Sequence, residues 1–292
     1  GWVMPRARAF NITLLLVFAG VLVVYFTQRY LYYERLGPEL EPGKHAYPST
    51  ASVKHCPQFP SDQGLEDAKN LRTTGGTNFS VRVPANYQAD VRHPLLVIYA
   101  PGGRRRQASE RLVSITAAAT SSGFIVAFAD DQPLSVETIL DLGTVPELVS
   151  ERWCVDPDRI FLTGHSNGGT VASALAFLHE TPVVPRGIAP SAAGINGEDL
   201  ATQTCPAPLS VMVMHSADDK LFSGFGSQTA AWWANCNLCN VDQVSQLTNG
   251  CVAYTQCAPG VQTIYCEGHG PHTRWPELND EMLNFFLHID AN

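Results

Sequence analysis

Apolar residues along the chain form short runs that end at glycine, proline or aspartate. Residues 78–83 alternate apolar and polar side chains, as in a strand with one buried face, and the alternation stops at Pro84. Other runs are continuously apolar, which is typical of strands that are buried on both faces of a parallel sheet. These runs cover residues 94–100, 124–129, 159–163, 210–215 and 263–266.

Helical spacing of apolar residues separates several of these runs. It covers residues 109–122 and 170–179, and it appears again after the last run, over residues 277–289. Strands that alternate with helices predict an α/β fold, in which a mostly parallel sheet is covered by helices on both faces.

The N-terminal region has a different pattern. Residues 9–28 contain no charged side chain, and a helix of about twenty residues spans about 30 Å, the thickness of a bilayer's hydrocarbon core. No small-residue cleavage site follows this stretch, so we interpret it as an uncleaved membrane anchor rather than a cleaved signal peptide. The expected division of the chain is a short N-terminal segment over residues 1–8, a membrane helix over 9–28, a Gly- and Pro-containing linker over 29–55 and a globular domain over 56–292.

Composition narrows the possible functions. Of the 292 residues, 45% are hydrophobic and 16% are charged, and the formal net charge is −8. The apolar content excludes a mainly disordered chain, and the acidic balance argues against a nucleic-acid-binding surface. We therefore expect no nucleic-acid partner.

The cysteines indicate the compartment. There are eight, an even number, and all of them follow the apolar N-terminal stretch. This arrangement predicts disulfides in an oxidising compartment, so the globular domain is expected on the periplasmic or extracellular side, either anchored or, if the segment is cleaved, secreted. Cys236 and Cys239 have the C-x-x-C spacing of a zinc site, but no second such pair accompanies them, and no metal is predicted.

One motif carries a specific chemistry. Gly164-His165-Ser166-Asn167-Gly168 matches the Gly-x-Ser-x-Gly nucleophile elbow, and it lies between a predicted strand and a predicted helix, as that motif requires. A serine in this turn projects its hydroxyl above the sheet edge, next to the amide groups that begin the helix. The amide of Asn167 is therefore a candidate donor to an oxyanion.

A nucleophilic serine needs a histidine to take its proton and an acid to orient that histidine. After this type of elbow, the acid and then the histidine follow the serine along the chain. Asp218 and Asp219 come at the end of a predicted strand, and both are candidates for the acid. His272 is favoured as the base, with His269 as its competitor.

These residues resemble those of feruloyl esterases and polyhydroxybutyrate-depolymerase-like esterases, over about residues 70–290. The resemblance implies the α/β-hydrolase fold. It also implies Asp219 as the acid and His272 as the base. The sequence blocks that carry the resemblance are Cys154 to Gly169, Phe79 to Tyr87 with Pro94 to Gly103, His215 to Asp219, and His272 with Trp275-Pro276.

The resemblance implies two further features. A second oxyanion donor is expected from the backbone of Gly102 or Gly103, in the loop after the strand at residues 94–100. Disulfides are expected between Cys56 and Cys154, and between Cys257 and either Cys236 or Cys239.

Together these residues predict a serine carboxylic-ester hydrolase that acts through Ser166, His272 and Asp219, without a cofactor or a metal. The ester substrate is expected to be of the feruloyl or the polyester (polyhydroxyalkanoate-like) type. Trp233, Trp275 and His165 are the candidates for substrate contact. A serine peptidase on the same fold and a membrane-tethered binding protein without catalysis are the alternatives.

Overall fold

The computed structural model describes residues 6–35, Cys56, Phe59 and residues 66–289. The chain divides into two units, residues 1–39 and residues 40–292. The first unit contains helix α1, Arg6–Arg35. Within α1, Ile12–Tyr30 is long and apolar enough to cross a membrane, with a mean hydropathy of 1.8.

The helix α1 extends beyond both predicted limits of the membrane segment. The prediction of a linker from residue 29 is wrong for residues 29–35, because no glycine or proline interrupts the helix there. The rest of that linker, residues 36–55, lies outside the described residues, as do residues 1–5.

The second unit is built around a ten-stranded sheet with the order β1-β2-β4-β3-β5-β6-β7-β10-β9-β8. The six strands from β4 to β10 in this order are parallel, and the outer pairs at both edges run antiparallel. The strands are β1 Ala68–Arg72, β2 Asn78–Arg82, β3 His93–Tyr99, β4 Ile125–Ala129, β5 Val155–His165, β6 Gly187–Ser191, β7 Ser210–Ser216, β8 Asn240–Gln246, β9 Cys251–Thr255 and β10 Thr263–Gly268.

Helices cover both faces of this sheet, which confirms the predicted α/β arrangement. The central strand β3 alternates between two hydrophobic cores: Leu95, Val97 and Tyr99 pack with α4, α5, α6 and α8, whereas Leu96 and Ile98 pack with α2, α3 and α9. These helices, with the short α7, are α2 Arg106–Val113, α3 Thr116–Ser121, α4 Val136–Leu142, α5 Val145–Ser150, α6 Asn167–Phe177, α7 Gly197–Ala201, α8 Phe225–Cys236 and α9 Asn279–Leu287.

One predicted helix is divided in the structure. The pattern over residues 109–122 predicts a single helix, but α2 ends at Val113 and α3 begins at Thr116. Ser114 adopts the left-handed conformation, with φ of 51°, and its N–H donates to the carbonyl of Glu110. This cap closes α2 and turns the chain, which apolar spacing alone does not reveal.

The eight cysteines form four disulfides. Two of them are pairs that the resemblance implies, and Cys239 rather than Cys236 bonds to Cys257, because Cys236 is bonded to Cys205. The four pairs are Cys56–Cys154, Cys205–Cys236, Cys239–Cys257 and Cys251–Cys266.

The topology brings three distant segments to one edge of the sheet. Because β5, β7 and β10 are parallel, their carboxyl ends point the same way. Ser166 follows β5, Asp219 follows β7, and His272 follows β10. The carboxyl edge of a parallel sheet is the usual place for a ligand in α/β folds.

Candidate active site

Ser166 lies in the turn between β5 and α6. Its backbone has φ of 56° and ψ of −116°, a conformation that costs a non-glycine residue free energy. The Ser166 N–H donates to the carbonyl of Ser191 at 2.9 Å, and the Ser166 carbonyl accepts from the N–H of Thr170 at 3.0 Å. The turn is thereby held by β6 on one side and by α6 on the other, and the serine side chain is half-buried.

Two glycines of the motif are required by close backbone contact. A Cβ on Gly164 would lie 2.5 Å from the carbonyl carbon of Gly168, and a Cβ on Gly168 would lie 2.0 Å from the carbonyl oxygen of Tyr99. Both distances are shorter than a carbon atom can approach, so the strand β3, the elbow and α6 pack closely only because side chains are absent here.

Hydrogen bonds connect the three residues at the sheet edge. The Ser166 Oγ lies 2.9 Å from Nε2 of His272, and Nδ1 of His272 lies 2.7 Å from Oδ2 of Asp219. With Nδ1 protonated and donating to Asp219, Nε2 is free to accept the serine proton. This is the arrangement that activates a serine hydroxyl as a nucleophile.

Asp219 is buried, with 2% of its surface exposed. Its Oδ1 accepts from the N–H groups of Leu221 and Phe222, at 2.9 and 2.8 Å. Burial alone would raise the pKa of Asp219, but the hydrogen bonds from His272 and Phe222 and the charge of protonated histidine hold the pKa below its usual range. The carboxylate therefore stays ionised and orients His272.

The fold is similar to that of several solved esterases. The acetyl xylan esterase from Aspergillus awamori superposes with a TM-score of 0.56 at 14% identity, over 76% of this chain and 98% of that chain. A mutant of the feruloyl esterase module from Clostridium thermocellum, complexed with sinapinate, gives 0.55 at 10% identity, over 83% and 95%. A truncated carbohydrate esterase from gut microbiota gives 0.52 at 12% identity, over 78% and 98%. No protein-family model and no curated protein matches the sequence.

The chain has the α/β-hydrolase fold. The order of its site residues also follows that fold, since serine, acid and histidine follow β5, β7 and β10 in that order along the chain.

In an α/β-hydrolase the oxyanion donors come from the residue after the nucleophile and from the loop after β3. The Asn167 N–H begins α6, where no intrahelical acceptor exists. The Gly103 N–H donates to Oδ2 of Asp131 at 2.7 Å, so the prediction that Gly103 could be a donor is wrong for this conformation. Gly102, which lies next to the Asn167 side chain, is then the remaining candidate donor of this loop.

The loop over residues 268–276, here called the histidine loop, carries His272, the candidate base. Asp218 accepts from the N–H of Gly270 at 3.0 Å and lies 3.3 Å from Nδ1 of His269. Ser216 donates its hydroxyl to the carbonyl of Gly270 at 2.6 Å. Asp218 and His269, the alternative acid and base, therefore pair with each other at the surface, where the His269 side chain is 83% exposed.

His165 does not face a substrate, contrary to prediction. It is buried, with 3% of its surface exposed, and its Nε2–H donates to the carbonyl of His272 at 2.6 Å. Its Nδ1 lies 2.9 Å from the Ser191 hydroxyl, which is the donor when the ring is neutral. Burial lowers the pKa of His165 to about 4, so the ring is neutral near pH 7. His165 thus holds the backbone of the histidine loop from the buried side of that loop.

The two tryptophans predicted to contact substrate lie in the cores. Trp233 of α8 is fully buried. Trp275 is 7% exposed, and its Nε1–H donates to Asn279 at 2.9 Å. Trp275 also packs edge-on against His165, with ring centroids 6.0 Å apart. Their large apolar surfaces stabilise the fold, so the prediction that these two tryptophans contact the substrate is wrong.

His215 supports the acid, a role that the sequence analysis did not assign. Its Nε2–H donates to the carbonyl of Phe222 at 2.8 Å, and the same nitrogen lies 3.4 Å from Oδ2 of Asp219. Burial lowers the pKa of His215, although the bond to Phe222 and the charge of Asp219 oppose this effect. His215 begins the sequence block that ends in Asp219, so the signal that identifies the acid also points to it. Ser191, whose hydroxyl binds His165, belongs to no motif, so no signal in the sequence identifies its role.

Histidines and acids, which can bind metal ions, cluster around the site. Among the residues that the structure describes, no group of three or more His, Cys, Asp or Glu side chains is arranged to hold a metal ion.

Proposed function

We propose that this chain is a serine carboxylic-ester hydrolase. The observation that carries the proposal is the continuous hydrogen-bonded chain from Ser166 through His272 to Asp219, at the carboxyl edge of the sheet. The strained turn at Ser166 adds support, because backbone strain of this kind persists where the surrounding structure imposes it for function.

The first half of the reaction acylates the serine. Ser166 Oγ attacks the ester carbonyl while Nε2 of His272 takes its proton. The Asn167 and Gly102 N–H groups donate to the oxyanion of the tetrahedral intermediate, each contributing about 3 kcal/mol. His272 then protonates the alcohol oxygen, the bond between that oxygen and the acyl carbon breaks, and the alcohol leaves.

The second half releases the acid. Water attacks the acyl carbon while His272 takes its proton. His272 then returns the proton to the Ser166 oxygen, the bond between that oxygen and the acyl carbon breaks, and the carboxylic acid leaves. Throughout, the buried and ionised Asp219 stabilises the positive charge that His272 acquires. No redox step or cofactor is needed.

The substrate class is proposed from the resemblance and from the structural neighbours. Those neighbours include an acetyl xylan esterase and a feruloyl esterase module, and the sequence blocks resemble feruloyl and polyhydroxybutyrate-depolymerase-like esterases. We infer that the ester is of the feruloyl or the polyester type. The half-buried Ser166 lies at the carboxyl ends of the parallel strands, where solvent reaches it, as attack on a feruloylated polysaccharide or on a polyester chain requires.

We also propose that α1 anchors the enzyme in a membrane, with the disulfide-bonded unit outside the cytoplasm. Ile12–Tyr30 has the required length and hydropathy, and disulfides persist in oxidising compartments. Washing the membrane fraction with alkaline carbonate tests the anchor, since release of the full-length chain would contradict it.

Labelling and turnover of Ser166 test the proposed reaction. We expect a fluorophosphonate to modify Ser166 and the Ser166→Ala variant to lose all labelling, with hydrolysis of 4-nitrophenyl acetate lowered at least about a thousandfold. Ser121→Ala, in α3, is the matched control and is expected to keep both activities.

Two outcomes would contradict the ester hydrolase. Full turnover by Ser166→Ala would exclude the serine as nucleophile. Cleavage of peptide 4-nitroanilides in preference to a panel of methyl ferulate, polyhydroxybutyrate, acetylated xylan and short 4-nitrophenyl esters would indicate a peptidase.

A further inference from the structure

We infer that Leu221, Phe222 and Phe225 form a subsite for a hydrocarbon group on the alcohol side of the ester. These three residues are called the aromatic patch. The inference rests on the proposed ester hydrolysis, and it favours a polyester, whose alcohol side presents an alkyl group next to the ester oxygen, over a feruloylated polysaccharide, whose alcohol side is a sugar.

The aromatic patch begins in the turn that holds the catalytic acid. The N–H groups of Leu221 and Phe222 both donate to Oδ1 of Asp219. The position of these two side chains is therefore coupled to the position of the carboxylate, and Phe225 follows at the start of α8. A subsite built on this turn has a fixed distance from the reaction centre.

The ring of Phe222 contacts the base directly. It lies edge-to-face with the ring of His272, with centroids 5.0 Å apart and planes at 89°. On its other side it stacks with Phe225, with centroids 5.2 Å apart and planes at 20°. Gly194 leaves space for this ring, because a Cβ there would lie 2.9 Å from one of its carbon atoms.

The patch exposes apolar surface that packing does not explain. Leu221 is 63% exposed, and Phe222 and Phe225 are half-buried. All three side chains lie outside both hydrophobic cores described for the folded unit. A ligand that removes these three apolar side chains from water lowers the free energy of the complex.

The reaction chemistry decides which part of the ester meets the patch. His272 must protonate the departing alcohol oxygen, so that oxygen lies against Nε2, and the group attached to it emerges beside Phe222. The oxyanion donors are the N–H groups of Asn167, at the start of α6, and of Gly102, in the loop after β3, and Asp131 and Arg104 make the surroundings of that loop polar. A hydrocarbon group is therefore better accommodated on the histidine side.

The experiment compares alcohols of the same acid. We expect the wild-type protein to hydrolyse benzyl acetate with a kcat/KM about tenfold higher than methyl acetate. Leu221→Ser and Phe225→Ala are expected to lower this ratio severalfold, because they remove apolar surface that the benzyl group reaches and the methyl group does not. Val184→Ala, which removes another exposed apolar side chain, is the matched control.

The results separate failure of the subsite from failure of the proposed function. If neither acetate is hydrolysed and Ser166 is not labelled, the ester hydrolase itself is wrong. If both acetates are hydrolysed and the two variants leave their ratio unchanged, the subsite is wrong. A preference for 6-O-acetylglucose that the variants abolish would assign the patch to a sugar and overturn the inference.

Discussion

The nucleophile elbow and the histidine loop carry Ser166 and His272, the two partners of the proposed proton transfer, but different forces hold them. In the elbow, backbone packs against backbone, and Gly164 and Gly168 leave no room for a side chain. In the histidine loop, side chains from elsewhere hold the backbone by hydrogen bonds: His165 binds the carbonyl of His272, and Ser216 binds the carbonyl of Gly270.

This difference predicts how each region responds to substitution. Close backbone packing has no alternative arrangement, so a change in the elbow should reduce the stability of the whole domain. A hydrogen bond can be replaced by another group of similar reach, so a change behind the histidine loop should reduce the rate first. Three pairs of substitutions test this contrast, beginning with the pair expected to have the largest effect.

Asp219→Asn should lower kcat about ten-thousandfold with little change in stability. An amide at this position can donate to Nδ1 of His272, which puts the ring proton on Nε2 and prevents it from accepting the serine proton. Asp218→Asn is the control, and we expect a loss of less than about tenfold, because Asp218 binds the loop backbone and not the base. Steady-state ester hydrolysis measures both, and a larger loss in Asp218→Asn would reverse the assignment of the acid.

The second test places the same substitution in both regions. Gly168→Ala should lower the free energy of unfolding by about 3 kcal/mol or more, because its Cβ would lie 2.0 Å from the carbonyl oxygen of Tyr99. Gly268→Ala, where the histidine loop begins, meets no atom within 4 Å and should stay within about 0.5 kcal/mol of wild type. Urea unfolding with the disulfides intact measures both, and equal losses would remove the contrast between the regions.

The same contrast explains what could be predicted from the sequence. The elbow is local: a strand, five motif residues and a helix are contiguous, and the glycine spacing reflects contacts within that segment. Five of the six parallel strands are also predicted to within a few residues, since for example the run over residues 94–100 corresponds to β3, His93–Tyr99. The buried strand β6, Gly187–Ser191, is not predicted. The order of serine, acid and base then follows from the topology of the parallel sheet.

What could not be predicted depends on contacts between distant segments. The partner of His165 is 107 residues away in the chain, so a histidine inside the motif could not be recognised as a support for another loop. The burial of Trp233 depends on how α8 packs against the sheet. The strand β8, Asn240–Gln246, is exposed at the edge and mostly polar, so the backbone pairing with β9 forms it without an apolar pattern.

Substitution of His165 should have the smallest effect on activity, and it distinguishes its two hydrogen bonds. A glutamine amide can reach the position of Nε2 and keep the bond to the carbonyl of His272, whereas an asparagine amide can replace only Nδ1, which faces Ser191. We therefore expect His165→Gln to lower kcat severalfold and His165→Asn to lower it about ten- to a hundredfold, with little change in KM. Equal losses would mean that the bond to the carbonyl does not position the base.

The pH dependence of stability gives a second measurement on the same residue. Burial lowers the pKa of His165 from 6.5 to about 4, so between these values the unfolded chain binds a proton that the folded chain does not. The free energy of unfolding therefore falls as the pH drops through this window, by about 3 kcal/mol from this group. Urea unfolding at pH 7 and pH 4.5 should show a smaller decrease for His165→Gln than for wild type, and equal decreases would contradict the shift. The protonated ring still donates from Nε2 to the carbonyl of His272, so this loss of stability comes from burial of the charge and not from loss of the bond that holds the histidine loop.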